Sequence, residues 1–183
     1  MSALLRFEGV TLRRGGRLLF EGLDLDIGAG QAVHVAGPNG SGKSSLLRLA
    51  AGLLRAERGK VERSMLALAD DHVALDRDLR LERALRFWGS RADAALEALA
   101  LAPLAGVPVR LLSSGQLKRA TLARIVASGA PLWLLDEPLN ALDADGATRL
   151  AQLIGVHLES GGAVVAASHQ AIPGEWRQLE LGS

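Results

Sequence analysis

The stretch Gly37-Pro38-Asn39-Gly40-Ser41-Gly42-Lys43-Ser44 sets glycines, a lysine and a hydroxyl at the spacing G-x-x-x-x-G-K-[ST], a combination suited to holding phosphate. Glycines let successive backbone N–H groups turn inward on anionic oxygens, and the positive end of a following helix adds to the attraction. Lys43 supplies a mobile point charge for the β- and γ-phosphates of a nucleotide, the Ser44 hydroxyl is placed to ligate Mg²⁺, and Ser45 continues the nucleotide-binding stretch. A second constellation is Leu132-Trp133-Leu134-Leu135-Asp136-Glu137-Pro138, an apolar run ending in two carboxylates. If the run is a core strand, it delivers both acids to its carboxyl end, where α/β proteins hold their ligands. Asp136 is then expected to hold Mg²⁺ through water and Glu137 to point at an attacking water. A strand followed by an acidic turn is common, and it is the phosphate loop that makes this pair specific.

These groups need a scaffold that brings two distant segments to one edge. Strand-like and helix-like segments alternate along the chain, the pattern of an α/β fold with a largely buried sheet. Leu4 to Val10 and Gly22 to Ile27 read as early strands bracketing the turn Arg14-Gly15-Gly16. Ala32 to Ala36 reads as a short strand closed by glycine, and Ser44 to Leu54 has helical periodicity, so the phosphate loop has the strand-loop-helix context it requires. Arg80 to Leu101, rich in Ala, Leu, Arg and Glu, predicts a helical stretch stopped by Pro103 and Pro108 before a second helix from about Ser114. Pro131 to Leu135 and Ala163 to Ala167 are apolar runs of strand length, joined by a helix from Asp145 to Glu159 that ends at Gly161-Gly162. Aliphatic residues of the middle helices, Leu85, Leu96 and Leu99 among them, read as packing positions.

Composition narrows the classes further. With 183 residues the chain fits one domain, and 21 basic against 20 acidic side chains leave no broad positive field for gripping nucleic acid. The absence of cysteine excludes disulfides, Cys-ligated zinc and thiol catalysis. The opening Met1-Ser2-Ala3-Leu4-Leu5-Arg6-Phe7-Glu8 lacks the basic and apolar regions of a secretory leader, and no uncharged apolar stretch approaches the ~18 residues that span a bilayer. The expectation is a cytoplasmic protein whose membrane link runs through a partner.

Leu112-Ser113-Ser114-Gly115-Gln116, followed by Lys118-Arg119 and standing before the Asp136-Glu137 strand, resembles the signature motif of the ATP-binding-cassette (ABC) family. Ser-Ser-Gly alone is ordinary helix-capping material; the order of motifs gives it weight. Asn140-Ala141-Leu142-Asp143 resembles the D-loop of that family, and His169, after the Ala163 to Ser168 segment, sits where its switch histidine belongs. The resemblance runs from about residue 5 to about residue 173. It implies a P-loop NTPase nucleotide-binding domain: a RecA-like core sheet with an N-terminal antiparallel β part, approximately residues 1–70 and 128–183, and a small helical subdomain, approximately 71–127. It also implies ATP and Mg²⁺ as ligands, with Lys43, Glu137 and His169 as the catalytic set. The resemblance further implies that two such subunits face each other in the ATP-bound homodimer, with Ser113 and Gly115 acting on the nucleotide of the partner and Gln116 among the nucleotide-binding residues.

Within the family, Val107-Pro108-Val109-Arg110-Leu111-Leu112-Ser113, Leu85-Arg86-Phe87-Trp88 and Ser168-His169-Gln170-Ala171-Ile172-Pro173 resemble the haem-exporter ATP-binding subunits of cytochrome c maturation. That resemblance implies an integral membrane permease subunit, haem-pathway proteins as partners, and a peripheral place on the cytoplasmic face of the inner membrane. It leaves open whether haem itself is moved. Two departures stand out. The stretch before the phosphate loop, Leu12-Arg13-Arg14-Gly15-Gly16, has no aromatic residue to stack on adenine, and the planar guanidinium of Arg14 is the candidate replacement. The slot usual for a Mg²⁺-sensing glutamine falls in Ala69-Asp70-Asp71-His72-Val73, where counting back from Leu85 selects His72 as a metal-sensing candidate, with Asp71 the alternative. Other classes fit less well. Soluble ABC ATPases of DNA repair or translation usually fuse two cassettes or insert long coiled coils, a non-hydrolytic module would lack Glu137, and kinases and GTPases have no use for the signature segment.

Overall fold

A computed structural model describes residues 3–182; Met1, Ser2 and Ser183, at the ends of the expected domain, lie outside the described residues. β1 (Leu5–Arg14) and β2 (Arg17–Ile27) form an antiparallel hairpin closed by Gly15 and Gly16, whose φ values of 57° and 80° match a tight turn requiring positive φ at both central residues. β2 starts at Arg17, five residues before the strand expected from Gly22. Arg14 pairs with Arg17 and the buried Leu12 with the buried Phe20, so the ladder continues to the turn although Arg17, Leu18 and Glu21 are exposed and break the alternation. β4 (Arg58–Arg63) pairs with the other edge of β1. Its sequence RGKVER has a single half-buried apolar residue, Val61, and no alternation to read.

The second sheet is parallel, in the order β5 (Leu66–Ala69), β6 (Leu132–Asp136), β7 (Ala163–Ala167), β3 (Ala32–Ala36), β8 (Arg177–Glu180). Every residue of β6 and β7 is buried, as expected for parallel strands covered on both faces, and this is why they read as unbroken apolar runs. One face packs on the antiparallel sheet and α1 (Lys43–Ala50) through Phe7, Ile27, Val35, Leu46 and Leu134. The other packs on α2 (Leu81–Arg86), α3 (Ala92–Ala98), α4 (Ser114–Ser128) and α5 (Ala144–Glu159) through Leu85, Leu99, Ile125, Leu135 and Ile154. This is the expected α/β arrangement of a parallel core, an antiparallel N-terminal part and a helical segment.

Helix limits differ from the sequence reading where backbone contacts intervene. The stretch from Arg80 to Leu101 forms two helices, because the chain near Gly89 passes so close to α4 that a Cβ there would fall on the Ala127 carbonyl. Ala/Leu periodicity cannot distinguish one helix from two. α1 stops at Ala50, short of Leu54, where Gly52 takes φ 78° and Leu53 N–H donates to the Arg48 carbonyl at 2.8 Å. α4 and α5 begin within a residue of expectation. Both are capped by side chains: Ser113 accepts from Gln116 N–H and Asp143 from Gly146 N–H.

Candidate functional site

β3 runs directly into the phosphate loop, and α1 leaves it from Gly42, whose φ of 106° favours glycine. Lys43, at the first helical position and buried, folds back so that Nζ donates to the carbonyls of Gly37 (2.8 Å) and Pro38 (3.1 Å). Those bonds hold the ammonium at the centre of the loop, where anionic oxygens would be met. The back of the loop is closed by the C-terminal residues: Leu181 N–H donates to the Ala36 carbonyl at 2.9 Å, and Ser41, buried at its base, lies against Gly182. A Cβ on Gly37 would fall on the Leu181 carbonyl and lie 2.8 Å from Ser41 Oγ, so the first glycine is required by packing as well as by its φ of 140°.

β6 brings the two carboxylates to the same edge. The Ser44 hydroxyl donates to Asp136 Oδ1 at 3.0 Å, joining residues 92 positions apart in sequence. Asp136 is buried, and this desolvation raises its pKa above the ordinary value, while the Ser44 bond acts against the shift. A hydroxyl and a carboxylate, both hard oxygen donors in contact, fit a Mg²⁺ that takes its remaining ligands from phosphate and water.

Glu137 follows with φ 45°, a left-handed conformation uncommon for a non-glycine residue and associated with functional turns. Its N–H donates to the Ala167 carbonyl at 2.8 Å and its carbonyl accepts from Lys118 Nζ at 2.8 Å. Its Oε2 lies 2.9 Å from His169 Nδ1. Since a carboxylate only accepts, Nδ1 carries the proton, and Nε2 lies 3.4 Å from the Gln170 amide. The histidine at the end of β7 thus orients the carboxylate at the end of β6.

A cleft of about 340 Å³ gathers eight of the expected residues: Arg14, Asn39, Gly40, Gly42, Lys43, Ser44, Ser45 and Glu137 line it. Arg14 reaches Ser45 Oγ with Nη1 at 3.4 Å and so stands at the first turn of α1, lining the cleft. Gly37 and His169 line an adjoining cavity, and Pro38 and Ser41 lie at the back of the loop. Two groups lie elsewhere. Ser113, Gly115 and Gln116 form the first turn of α4, with Gly115 against the Ala141 carbonyl, and do not line the cleft. Ser113 is exposed and shares a capping box with Gln116, so the capping reading of Ser-Ser-Gly holds within the chain. His72 is exposed; its Nδ1 lies 3.3 Å from Asp70, and it lines a separate groove with Arg48, Leu53, Trp88 and Arg124. Asp71, the alternative, is also exposed, and its charge acts on both Asp136 and Lys118.

Sequence reasoning missed the Lys118 bond to Glu137 and the packing of Leu181 and Gly182 behind the loop. In sequence Lys118 reads only as half of a basic pair with Arg119, and nothing near Leu181 marks a close approach.

With this geometry in place, the comparisons are specific. The family described as ABC transporter matches residues 20–140. The chain is 51% identical over 180 residues to the cytochrome c biogenesis ATP-binding export protein CcmA of Sphingopyxis alaskensis, covering 94% of this chain and 93% of that protein. It is 55% identical over 166 residues to the protein of the same name from Novosphingobium aromaticivorans, covering 89% and 87%. Among solved structures it superposes on a dimeric ATP-binding cassette in a post-hydrolysis state bound to ADP and Pi, with TM-score 0.83, 24% identity and coverage of 97% and 94%. It also superposes on an ATP-binding subunit of an ABC transporter, with TM-score 0.84, 20% identity and coverage of 91% and 79%. These two share the fold.

Proposed function

The chain belongs to the ABC transporter family, and from that membership we propose that it is the ATP-hydrolysing subunit of a cytochrome c biogenesis exporter, driving an integral membrane permease from the cytoplasmic face of the inner membrane. The ATPase activity comes with the family; the carrying observation for the narrower role is identity of 51% and 55% to proteins named for cytochrome c biogenesis, over nearly their whole length. Among the described residues no helix is long and apolar enough to cross a membrane, so attachment through a permease and contact with haem-pathway proteins belong to the proposal.

In the proposed mechanism the loop from Gly37 to Ser45 binds the phosphates of ATP, with the backbone N–H groups and Lys43 directed at charge that grows on the γ-phosphoryl oxygens. Ser44 and Asp136 would hold Mg²⁺, which when bound neutralises phosphate charge. Glu137 accepts a hydrogen bond from the attacking water and polarises it, and the His169 Nδ1–H keeps the carboxylate turned to that task. Ser113, Gly115 and Gln116 lie away from their own cleft, which supports their binding the nucleotide of a second copy in an ATP-bound homodimer. Arg14 packs on the base in place of an aromatic ring. The groove beside His72 and Asp71 receives the permease, and the division into a core at approximately 1–70 and 128–183 and a helical part at 71–127 is retained as part of this reading.

The test is deletion of the gene and complementation. Cells lacking the chain should lose haem-stained c-type cytochromes, wild type should restore them, and Glu137→Gln should not. In vitro that variant should bind ATP normally, lose hydrolysis by ~10²–10⁴-fold and accumulate as a dimer in MgATP. Unchanged c-type cytochromes on deletion would overturn the narrow role, and normal turnover by Glu137→Gln would remove that residue from the chemistry.

A further inference from the structure

Beyond its own turn, in which its carbonyl accepts from Asn140 N–H at 3.2 Å, Glu137 is held at three points, and only two of them belong to the sheet. Ala167 fixes its N–H and His169 its carboxylate, both from the β7 end. The third is Lys118, on the second turn of α4, whose ammonium crosses to the Glu137 main-chain carbonyl at 2.8 Å. This is a demanding placement. Burial is the largest influence on Lys118 and lowers its pKa from the ordinary value; the carboxylates of Asp71, Asp136, Glu137 and Asp70 act in the opposite direction. With four acidic side chains acting on it, the ammonium makes no salt bridge within 4.0 Å among the described residues and donates instead to a peptide oxygen. A lysine serving only as a counter-ion would close on a carboxylate. The carbonyl it selects belongs to a residue in the left-handed region, whose strain persists only when its surroundings over-determine it.

Resting on the reading of Glu137 as the water-polarising residue, we propose that Lys118 is a positioning residue for hydrolysis, holding the strained Glu137 peptide so that its carboxylate stays aimed into the cleft. The grip comes from the helix that begins at Ser113 and Gln116. It therefore ties the base of one site to the helix whose first turn is read as meeting the nucleotide of the other copy. Lys118 does not line the phosphate cleft, so its loss should act on turnover and spare ATP binding.

The experiment uses the full-length chain with Lys118→Met, which keeps length and removes the donor, Lys118→Arg, which keeps a cationic donor, and Lys118→Met combined with Glu137→Gln. Loss of one charge-assisted hydrogen bond predicts a fall in kcat of about tenfold for Lys118→Met. The KM for ATP should stay within about twofold of wild type, Lys118→Arg should recover most of the rate, and in single turnover the double variant should be no slower than Glu137→Gln. A kcat for Lys118→Met within about twofold of wild type, a loss confined to KM, or a full multiplicative loss in the double variant overturns the proposal. Should Lys118→Met fail to fold by circular dichroism, Lys118→Leu, which also lacks a donor, takes its place under the same criteria. If Glu137→Gln itself turns over normally, the underlying assignment of Glu137 fails; if it is inactive while Lys118→Met is unaffected, only the role of Lys118 fails.

Discussion

Replacing Gly37 by alanine should damage both the fold and the phosphate site, and the structure indicates by how much. The residue has φ 140°, and an added Cβ would fall on the Leu181 carbonyl and lie 2.8 Å from Ser41 Oγ. Holding an alanine in a region used essentially by glycine costs about 1–3 kcal/mol. Forcing a methyl into a filled space costs about 1–3 kcal/mol more. The middle of the combined range is about 4 kcal/mol, which for a chain of this size lowers the melting temperature by roughly 12 °C. Neither obstacle yields easily, since Leu181 is bonded to the Ala36 carbonyl and Ser41 is buried. Displacement therefore passes into the loop, whose N–H groups turn off their targets, and ATP affinity should fall by about tenfold or more. Thermal unfolding and calorimetric titration with ATP measure both effects. Gly106→Ala is the control, because nothing lies within 4 Å of its Cβ position and its φ is not left-handed, so both quantities should stay at the wild-type level. A Gly37→Ala protein melting within about 2 °C of wild type with unchanged ATP affinity would refute the reasoning.

Other expectations separate roles that the structure superimposes. Ser113→Asp keeps a good helix cap but sets a negative charge where a second copy's phosphates would arrive; unfolding and ATP binding by the monomer should be unchanged while hydrolysis falls by about tenfold or more, and retained turnover would end the trans reading. Lys43→Ala should weaken ATP binding itself, because the ammonium at the centre of the loop is lost; equal affinity by calorimetry contradicts this. His157 stacks on Trp133 with ring centroids 3.8 Å apart, and burial lowers its pKa from the ordinary 6.5, against the raising effect of its bonds to the Pro131 and Ala163 backbone. The unfolded chain therefore takes up this proton first, so the contribution of His157 to stability is intact above that value and lost as pH falls through it. Melting temperatures from pH 8 to about 5.5 should drop more for wild type than for His157→Phe, and parallel curves would exclude the effect.

The phosphate loop, the Asp136-Glu137 pair and the signature segment were legible because their chemistry depends on residues contiguous in sequence, and the strands and helices around them on an unbroken apolar run or a 3.6-residue period. β6 and β7 could be read because a parallel strand covered on both faces is apolar throughout. β4 could not, because a mostly exposed strand is recognised only by its partner, here β1. The break at Gly89 was invisible for a similar reason: the close approach of α4 sets it, and periodicity carries no information about neighbours. The same division holds at the site. Sequence named Ser44, Asp136, Glu137 and His169, but their hydrogen bonds span 92 and 32 positions and exist only because β6 and β7 end beside α1 and beside each other. Sequence counting selected His72, whose exposed ring lies 3.3 Å from Asp70 and lines a groove separate from the phosphate cleft, a placement that spacing alone does not reveal. Lys118 and Leu181 carry no local signal of their parts in the site. Their roles come from where an ammonium and a carbonyl arrive after folding, because a long-range hydrogen bond or steric stop depends on tertiary geometry that residue type and spacing do not encode.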